Sequence, residues 1–423
     1  MRSVASLIAS GSCALFASLC VPAVAHASPQ DLFSYGPRSQ AMGGLGATFV
    51  DDYSAVHANP AGLSRARERS FSLGYLGASF GLWTANGTNP HAPLHADVAR
   101  ATTIGLTLPL PFGGVLRNRI AIGLGFYTPT AVVVRGRILR PEQPQFLLLP
   151  DRTQSVALQL GVGANVGHGL RIGVGFAALA AIVGSVLIAQ DATGRVGSRV
   201  DDQLVASYAV VAGASYDRGP FRLAATFRDT LIARFAVTIQ ARDIGLPLPA
   251  FNIAGIAQYD PRQVALEAGY TRGPWTFALG TTFKQWSEFP GPLVSTTESS
   301  KPPPAPGFHD TWVLRTGVEF RIEWLRAMFA ARLGYFYEPT PVPLAQSASN
   351  YLDNDRHAIT AGLAMSGRAL GTTLGVETFA QVHVLADRTS VKSRDVVAEN
   401  PGYPSISYGG TVFVFGLAAT VTF

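Results

Sequence analysis

Residues 155–166 read Ser-Val-Ala-Leu-Gln-Leu-Gly-Val-Gly-Ala-Asn-Val and alternate between two kinds of side chain. Every second residue from Val156 to Val166 is aliphatic, and the residues between them are polar or small. Successive side chains of a β-strand point to opposite faces of the sheet. The pattern therefore predicts a strand with one apolar face and one polar face.

The same alternation recurs from about Ser70 to the end of the chain. It is clear again in the last residues, Phe413 to Phe423, and in the segment Thr373 to Val384. In that segment Glu377 lies on the face opposite the aliphatic residues, so one face carries a full charge. Repeated over most of the chain, this pattern is typical of a transmembrane antiparallel β-barrel with a lipid-facing outside and a wet interior.

The breaks between the alternating segments differ in length and indicate the topology. Short breaks such as Gly167–Gly169 and Arg272–Pro274 alternate with long polar ones such as Arg135–Pro150. Short turns on one side and long loops on the other are typical of outer-membrane barrels. One strand between successive breaks gives about fourteen strands, an even number. This count treats Phe251 to Thr271 as one strand with a bulge at Asp260-Pro261, because proline cannot donate to the ladder.

The first residues predict a secretory signal peptide over residues 1–27. A positively charged start is followed by an apolar stretch from Val4 to Leu19 and by Ala25-His26-Ala27. Both cysteines, Cys13 and Cys20, lie inside this segment. The exported protein then has no thiol, which excludes disulfides and cysteine-based metal sites.

Composition favours one large β-domain at the membrane. The chain has 44 glycines and 28 prolines and only 14% charged residues, which disfavours helical domains. The net charge is +6, but the arginines are scattered along the chain. We therefore interpret them as solvated or facing lipid headgroups, and expect no nucleic-acid partner.

The run Ile172 to Ala189 is uncharged and long enough for a membrane-spanning helix. Its length alone therefore does not decide between a helix and a strand. Its glycines and its position between two alternating segments favour a strand. As a strand, it would join its neighbour in lining the outer lumen with an apolar patch, made of Leu179, Val183, Leu187, Val205, Ala209 and Val211. A general porin keeps its lumen polar, so this patch points to a hydrophobic cargo.

Before the barrel, residues 28–68 do not alternate. They contain Gly36 to Gly44, the pair Asp51-Asp52, and Asn59-Pro60-Ala61, all typical of tight turns. The segment resembles the N-terminal hatch of FadL-type transporters, in which a glycine-rich start, an acidic pair and an Asn-Pro-Ala signature occur at this spacing. Phe283–Phe289 and Gly334–Pro343 also resemble segments of that family.

The resemblance implies a hatch at residues 28–68 inside a barrel at 69–423, and passive uptake of long-chain fatty acids or other hydrocarbons. It also implies a sideways exit into lipid where the third strand, Arg119 to Val134, kinks inward. Pro129 in that strand would remove a ladder hydrogen bond and favour a kink; alternatively, it marks the strand end. The family's N-terminus touches ligand, whereas Asp31 places a carboxylate there.

Other residue patterns give weaker signals for chemistry. His91 and His95 have the spacing of metal ligands on a helix, but neighbouring prolines predict a solvated loop. Glu377, Gln381 and His383 share the lumen face, which we interpret as polar lining and not as an acid–base group. Gly-x-Gly pairs within strands, such as Gly161-Gly163, predict small lumen-facing residues in place of nucleotide loops.

We therefore predict a monomeric channel in the outer membrane of a Gram-negative bacterium, in contact with lipid, with no cofactor, no metal and no catalytic residues. A polar-solute porin and an outer-membrane enzyme are the alternatives. A hatch that fills the bore and apolar inner residues favour the hydrophobic channel, an open polar bore favours the porin, and a paired serine and histidine at the rim favours the enzyme.

Overall fold

The computed structural model describes residues 29–87, 89–131, 140–150, 153, 155–190, 193, 195–242, 251–293, 305–369 and 371–423. The predicted signal peptide lies outside these residues. No helix within the described ranges is both long and apolar enough to cross a membrane.

Short helical turns come first along the chain and strands follow. The α-helices are α1 (Pro29–Phe33), α2 (Pro37–Ala41) and α3 (Ala55–Ala58), and the 3₁₀ turns are Pro60–Arg65, Gly114–Leu116 and Trp286–Glu288. The strands are β1 (Ser70–Asn86), β2 (Asn89–Leu94), β3 (Ala99–Pro109), β4 (Ile120–Pro129), β5 (Gln145–Phe146), β6 (Ala157–Gly167), β7 (Leu170–Gln190), β8 (Val196–Arg218), β9 (Phe221–Arg228), β10 (Leu231–Arg242), β11 (Phe251–Asp260), β12 (Arg262–Arg272), β13 (Trp275–Gln285), β14 (Thr311–Trp324), β15 (Ala327–Glu338), β16 (Tyr351–Leu352), β17 (Arg356–Ala369), β18 (Thr372–Val391) and β19 (Ser405–Thr422).

Fourteen of the described strands close into a ring. Antiparallel pairs connect neighbours in the order β1, β3, β4, β6, β7, β8, β9, β12, β13, β14, β15, β17, β18 and β19. The ring closes where β19 pairs with β1, from Ser70 opposite Thr422 to Asn86 opposite Ile406. This confirms the predicted barrel of about fourteen strands.

The inner and outer faces follow the alternation in the sequence. On β6, Val162 and Val166 are exposed on the outside, whereas Gln159 is buried on the inside. Aromatic rings lie on the outer face near both ends of the strands, among them Trp312 and Trp324, which are both exposed. Apolar outer faces with aromatic girdles are the surface that an outer-membrane barrel presents to lipid.

The run Ile172 to Ala189 forms strand, as predicted, within β7. Its partner β8 pairs with it along its whole length, from Leu170 opposite Tyr216 to Gln190 opposite Val196. Both strands continue well beyond the point where β6 ends, so their outer parts form a long hairpin.

The prediction of one bulged strand over Phe251 to Thr271 is wrong. The chain forms two strands, β11 and β12, separated by Pro261. Only β12 belongs to the ring, between β9 and β13, whereas β11 pairs with β10. Pro261 has no backbone N–H, and the chain changes its partner strand at this residue. Alternation continues on both sides of the proline and does not reveal the change.

Pro129 is the last residue of β4 and lies opposite Ala101. The pairing with β3 is uninterrupted up to Pro129, and the pairing with β6 runs without a bulge from Ile120 to Tyr127. The alternative that Pro129 marks a strand end therefore fits the structure better than the predicted kink. Most of the residues up to Val134 lie outside the described ranges.

Candidate functional site

Residues 30–64 are almost all buried and contact the inner face of the barrel, and we call this segment the hatch. Its Asn-Pro-Ala motif sits directly on glycines of the wall: a Cβ atom on Gly213 would overlap Asn59, and one on Gly173 would overlap Ala61. Wall glycines on other strands meet the hatch in the same way, namely Gly105, Gly123, Gly125, Gly163, Gly269, Gly280, Gly317, Gly334 and Gly362. The small lumen-facing residues that the Gly-x-Gly pairs predicted thus form a seat for the hatch.

Asn59 connects the hatch to the barrel wall. Its side-chain oxygen accepts a hydrogen bond from the Ala61 backbone N–H at 3.0 Å, which caps the 3₁₀ turn that follows. Its Nδ2 donates to the Ala214 carbonyl of β8 at 3.0 Å. The residue is fully buried, so each of these bonds replaces one with water.

We predict that Gly213→Val displaces the Asn-Pro-Ala motif from the wall. The new side chain would overlap Asn59, and overpacking of this kind typically costs about 1–3 kcal/mol. Proteolysis of the hatch in purified, folded protein should then become faster. The matched control is Gly367→Ala on β17, where a Cβ has ordinary contacts of 3.7 Å or more. Equal cleavage of both variants would show that Gly213 does not seat the hatch.

Glu267 on β12 anchors the hatch through its backbone. The carboxylate accepts hydrogen bonds from the N–H groups of Gly46, Ala47 and Thr48, each at 2.9 Å, and from the Thr48 hydroxyl. Successive N–H groups that converge on one carboxylate form strong, charge-assisted bonds. Glu267 is buried, so these bonds are shielded from competing water.

A second anchor is the buried carboxylate of Glu319 on β14. It accepts bonds from Arg38 of the hatch at 2.8 Å and from Arg332 at 2.7 Å. Arg332 also donates to Glu377 at 2.7 Å, so this predicted lumen residue belongs to the hatch-binding network. Gln381 donates to hatch carbonyls at Phe33 and Gln40, and His383 contacts Gln381 at 2.9 Å.

Asp31 is paired and does not present a bare charge to the lumen. Its carboxylate accepts from Lys284 at 2.9 Å and from Gln263 at 2.7 Å. Lys284 also contacts Glu338 at 2.7 Å, and Glu338 pairs with Arg356. The fully buried Lys284 is a residue that sequence reasoning missed, although it is one of only three lysines in the chain.

His57 of the hatch is buried near Arg228 of β9. Burial lowers the pKa of His57 well below its usual range, and the Arg228 guanidinium adds to the effect. The ring is therefore neutral at pH 7 and shares a 3.3 Å hydrogen bond with Gln159. Arg228 donates to the His57 carbonyl at 2.9 Å. A polar cavity of about 40 Å³ lies between the hatch and the wall beside His57 and Arg228.

On the side of the long loops, the hatch meets an apolar cluster that we call the outer cluster. Leu32 and Phe33 of α1 insert into it, and the ring of Phe33 lies 6.5 Å from that of Phe80 and 5.9 Å from that of His383. Ala41 of the hatch also belongs to this cluster. The wall and the loops supply its other buried members: Leu76, Ala78, Leu82, Ala99, Phe146, Leu149, Ala345, Leu352, Phe379, Leu385, Ile406, Tyr408, Val412 and Val414.

A second group of rings covers the mouth of the barrel next to β10 and β11. Tyr259 lies 5.7 Å from Trp286 and 4.9 Å from Phe289, measured between ring centroids. Leu148, Ile232, Ile256, Phe308 and Val342 pack with them. Loop strands β5 and β16 pair over the same side, with Gln145 opposite Tyr351. The loop side of the lumen therefore holds two apolar groups, and the buried charges Lys284, Glu338 and Arg356 lie beside them at the loop ends of β13, β15 and β17.

No family model and no curated protein sequence matches this chain. Solved structures do: a FadL homologue of Pseudomonas aeruginosa matches with a TM-score of 0.63 and 15% identity, over 94% of this chain and 99% of its own. The fold is that of the FadL-type channels. The toluene transporter TodX of P. putida matches with a TM-score of 0.57 and 12% identity, over 93% and 99% of the two chains. The predicted resemblance is confirmed at the level of the fold.

The FadL-type barrel places the predicted ligand-path residues in two environments. Leu179 and Val211 are buried, and Leu179 packs with Ala209 and with Leu231 of β10. Val183 and Val205 are 42% and 39% exposed, and Leu187 is partly exposed. These three residues lie where the hairpin of β7 and β8 extends past the ring, and their part in a ligand path stays a prediction.

The larger apolar lining of the FadL-type lumen lies on β1, β18 and β19. Along β1 the apolar residues change faces: Phe71 and Leu73 are exposed on the outside near its start, whereas Phe80 and Leu82 are buried on the inside near its end. Near the end of β1 the residues that alternate with them are Ser79 and Gly81. This change of the apolar residues from the outer to the inner face is the signal that could have located the outer cluster.

Proposed function

We propose that this protein is an outer-membrane channel for the passive uptake of hydrophobic molecules, with no chemistry of its own. The observation that carries the proposal is the outer cluster, which places apolar wall residues and the hatch residues Leu32 and Phe33 directly beneath the loops. An apolar molecule gains about 25 cal/mol for each Å² of its surface that leaves water here.

The polar contacts beneath the outer cluster favour a sideways exit. Straight passage toward the periplasm would take an apolar cargo past Glu267 and Glu319, which are buried and bind the hatch through buried partners such as Thr48 and Arg38. Separating such pairs leaves uncompensated charges and costs several kcal/mol. Transfer from the lumen into lipid keeps the cargo in an apolar medium, so we infer that cargo leaves through the wall.

Long-chain fatty acids and hydrocarbons both fit this proposal. Similarity of fold to a FadL homologue supports the first class, and similarity to a toluene transporter supports the second. A polar-solute porin is less well supported, since the hatch fills the bore. An enzyme is less well supported, because Glu377, Gln381 and His383 are engaged with the hatch or its neighbours. We propose that the channel acts as a monomer surrounded by outer-membrane lipid.

The test is transport by purified protein in liposomes, with labelled oleate, toluene and sucrose as parallel cargoes. Saturable transfer of oleate or toluene without sucrose flux is the expected result. Sucrose flux alone would make the protein a porin. Binding of oleate with no transfer of either hydrophobic cargo would reduce the role to that of a receptor.

A further inference from the structure

Two neighbouring turns of the barrel have the same sequence pattern. Arg218-Gly219-Pro220-Phe221 joins β8 to β9, and Arg272-Gly273-Pro274-Trp275 joins β12 to β13. The two glycines have φ angles of 60° and 58°, which suit the first central position of a type II′ hairpin turn, and the prolines fix the second position. Both turns are short, and short turns lie on the periplasmic side of an outer-membrane barrel.

Each turn places an arginine directly opposite an aromatic residue on the lipid-facing side. Arg218 is paired with Phe221, and Arg272 is paired with Trp275. Directly opposed residues of antiparallel strands share one face of the sheet. Phe221 is 60% exposed and Trp275 is 44% exposed. Both arginines therefore lie on the outer face, beside rings of the kind that border the lipid headgroups.

The protein does not neutralise these two arginines. Both are exposed, and among the described residues neither forms an ion pair. Asp217, the neighbour of Arg218 in the chain, lies on the opposite face of β8 and accepts hydrogen bonds from Arg65 at 2.7 Å and from Arg171 at 3.1 Å. Its charge is therefore already used on the inner side of the wall.

The two turns are close together and held in place. β9 lies between β8 and β12, with Phe221 opposite Tyr270. Adjacent strands are about 4.8 Å apart, so the ends of β8 and β12 are roughly 10 Å apart. Two arginine side chains can converge on one phosphate group from that separation. The Thr271 N–H donates to the Pro220 carbonyl at 2.9 Å, which fixes one turn relative to the other.

The outer wall above the turns has two apolar grooves, with volumes of about 600 and 890 Å³. Ala268 of β12 lines both grooves. Leu223 and Leu266 border the smaller groove, and Phe221 and Phe277 border the larger one. The grooves therefore begin at the arginine–aromatic pairs and offer apolar contact along the wall, which suits hydrocarbon chains.

We propose that the two Arg-Gly-Pro-aromatic turns and the grooves above them bind an anionic phospholipid of the inner leaflet. Arg218 and Arg272 bind its phosphate, Phe221 and Trp275 lie at the level of its glycerol, and its acyl chains lie in the grooves beside Ala268. The site offers two cations and an apolar surface, which complements a phospholipid. A second copy on a two-fold axis would instead bring like charges together. The inference goes beyond the proposed transport and does not depend on which cargo is carried.

The test is native mass spectrometry of the purified protein, titrated with dioleoyl phosphatidylglycerol or dioleoyl phosphatidylcholine. We expect the unmodified protein to bind phosphatidylglycerol about tenfold more tightly, because arginines at the membrane surface attract anionic headgroups. R218Q/R272Q should lose this preference. The matched control R117Q/R394Q also removes two exposed arginines, but outside the two turns, and should keep the preference within about twofold. Heat-modifiable gel mobility shows that each barrel folds.

A268W tests the grooves separately, because it fills them and leaves both guanidinium groups in place. Both lipids should then bind about tenfold more weakly, since their chains lose contact with the wall. Equal affinity of the unmodified protein for the two lipids, a preference that survives in R218Q/R272Q, or an equal loss in R117Q/R394Q would each overturn the proposal. Unchanged binding by A268W would overturn the placement of the chains. Tighter binding of oleate than of phosphatidylglycerol, or a protein dimer in place of lipid adducts, would overturn the assignment to a phospholipid.

Discussion

Glu267→Ala is expected to make the closed barrel leak small polar solutes. The variant removes four hydrogen bonds that hold Gly46, Ala47 and Thr48 of the hatch against β12. Hydrogen bonds to a charged group contribute about 1.5–3 kcal/mol each, so the hatch loses several kcal/mol of docking free energy. The bore of a fourteen-stranded barrel is then intermittently open. Sucrose efflux from proteoliposomes should rise about tenfold or more, since each 1.4 kcal/mol changes a population tenfold.

Glu323→Ala on β14 is the matched control, because it removes the same side chain from an exposed site at the end of a ring strand. Glu267→Gln should have an intermediate effect, since its amide oxygen still accepts but carries no charge. Heat-modifiable gel mobility checks that all three barrels fold. If proteoliposomes with Glu267→Ala release sucrose no faster than those with the unmodified protein, the other contacts are sufficient to dock the hatch. The Glu267 carboxylate is then not its anchor.

The barrel was predictable from sequence because its two faces differ in polarity over most of its strands. At β6 the exposed Val162 and the buried Gln159 lie on the faces that alternation assigned to them. The hatch was expected on other grounds, namely the turn-forming residues before the barrel and their resemblance to a known family. The contact of Asn59 to Ala61 with wall glycines was not predicted, because a single sequence does not show which glycines lie beneath the motif.

The sequence pattern did not predict that β10 and β11 lie outside the ring of strands. Alternation indicates which residues of a strand share a face, but it does not indicate which other strand pairs with it. Phe251 to Arg272 alternates through Pro261, although its two halves pair with different strands. A proline inside an alternating run shows only that one donor is missing, so it does not distinguish a bulge from a change of partner.

The charge pairs of the hatch could not be predicted from the sequence either, since their members are far apart along the chain. Asp31 and Lys284 are separated by 253 residues, and Arg38 and Glu319 by 281. A single sequence gives the sign of each charge but not its partner. Asp31 therefore looked like an obstacle to an apolar ligand, whereas its carboxylate is paired with the ammonium group of Lys284.

Phe33→Asp is expected to abolish most uptake of hydrophobic cargo while the barrel still folds. Phe33 is 2% exposed and packs in the outer cluster against Phe80. An unpaired carboxylate in such an apolar site costs several kcal/mol, so it will either draw water into the cluster or expel α1 from it. The hatch remains docked, because Glu267 and Glu319 hold it elsewhere.

Oleate uptake by the Phe33→Asp variant should therefore fall about tenfold or more, with heat-modifiable mobility unchanged, because apolar burial is the only attraction that the outer cluster offers. Phe33→Leu is the control: it keeps an apolar side chain in the cluster and should retain most of the uptake. Direct binding of a fluorescent fatty acid separates capture from passage. If Phe33→Asp binds and transfers oleate like the unmodified protein, cargo does not pass through the outer cluster, and the apolar lining of β1, β18 and β19 serves only to hold the hatch and loops together.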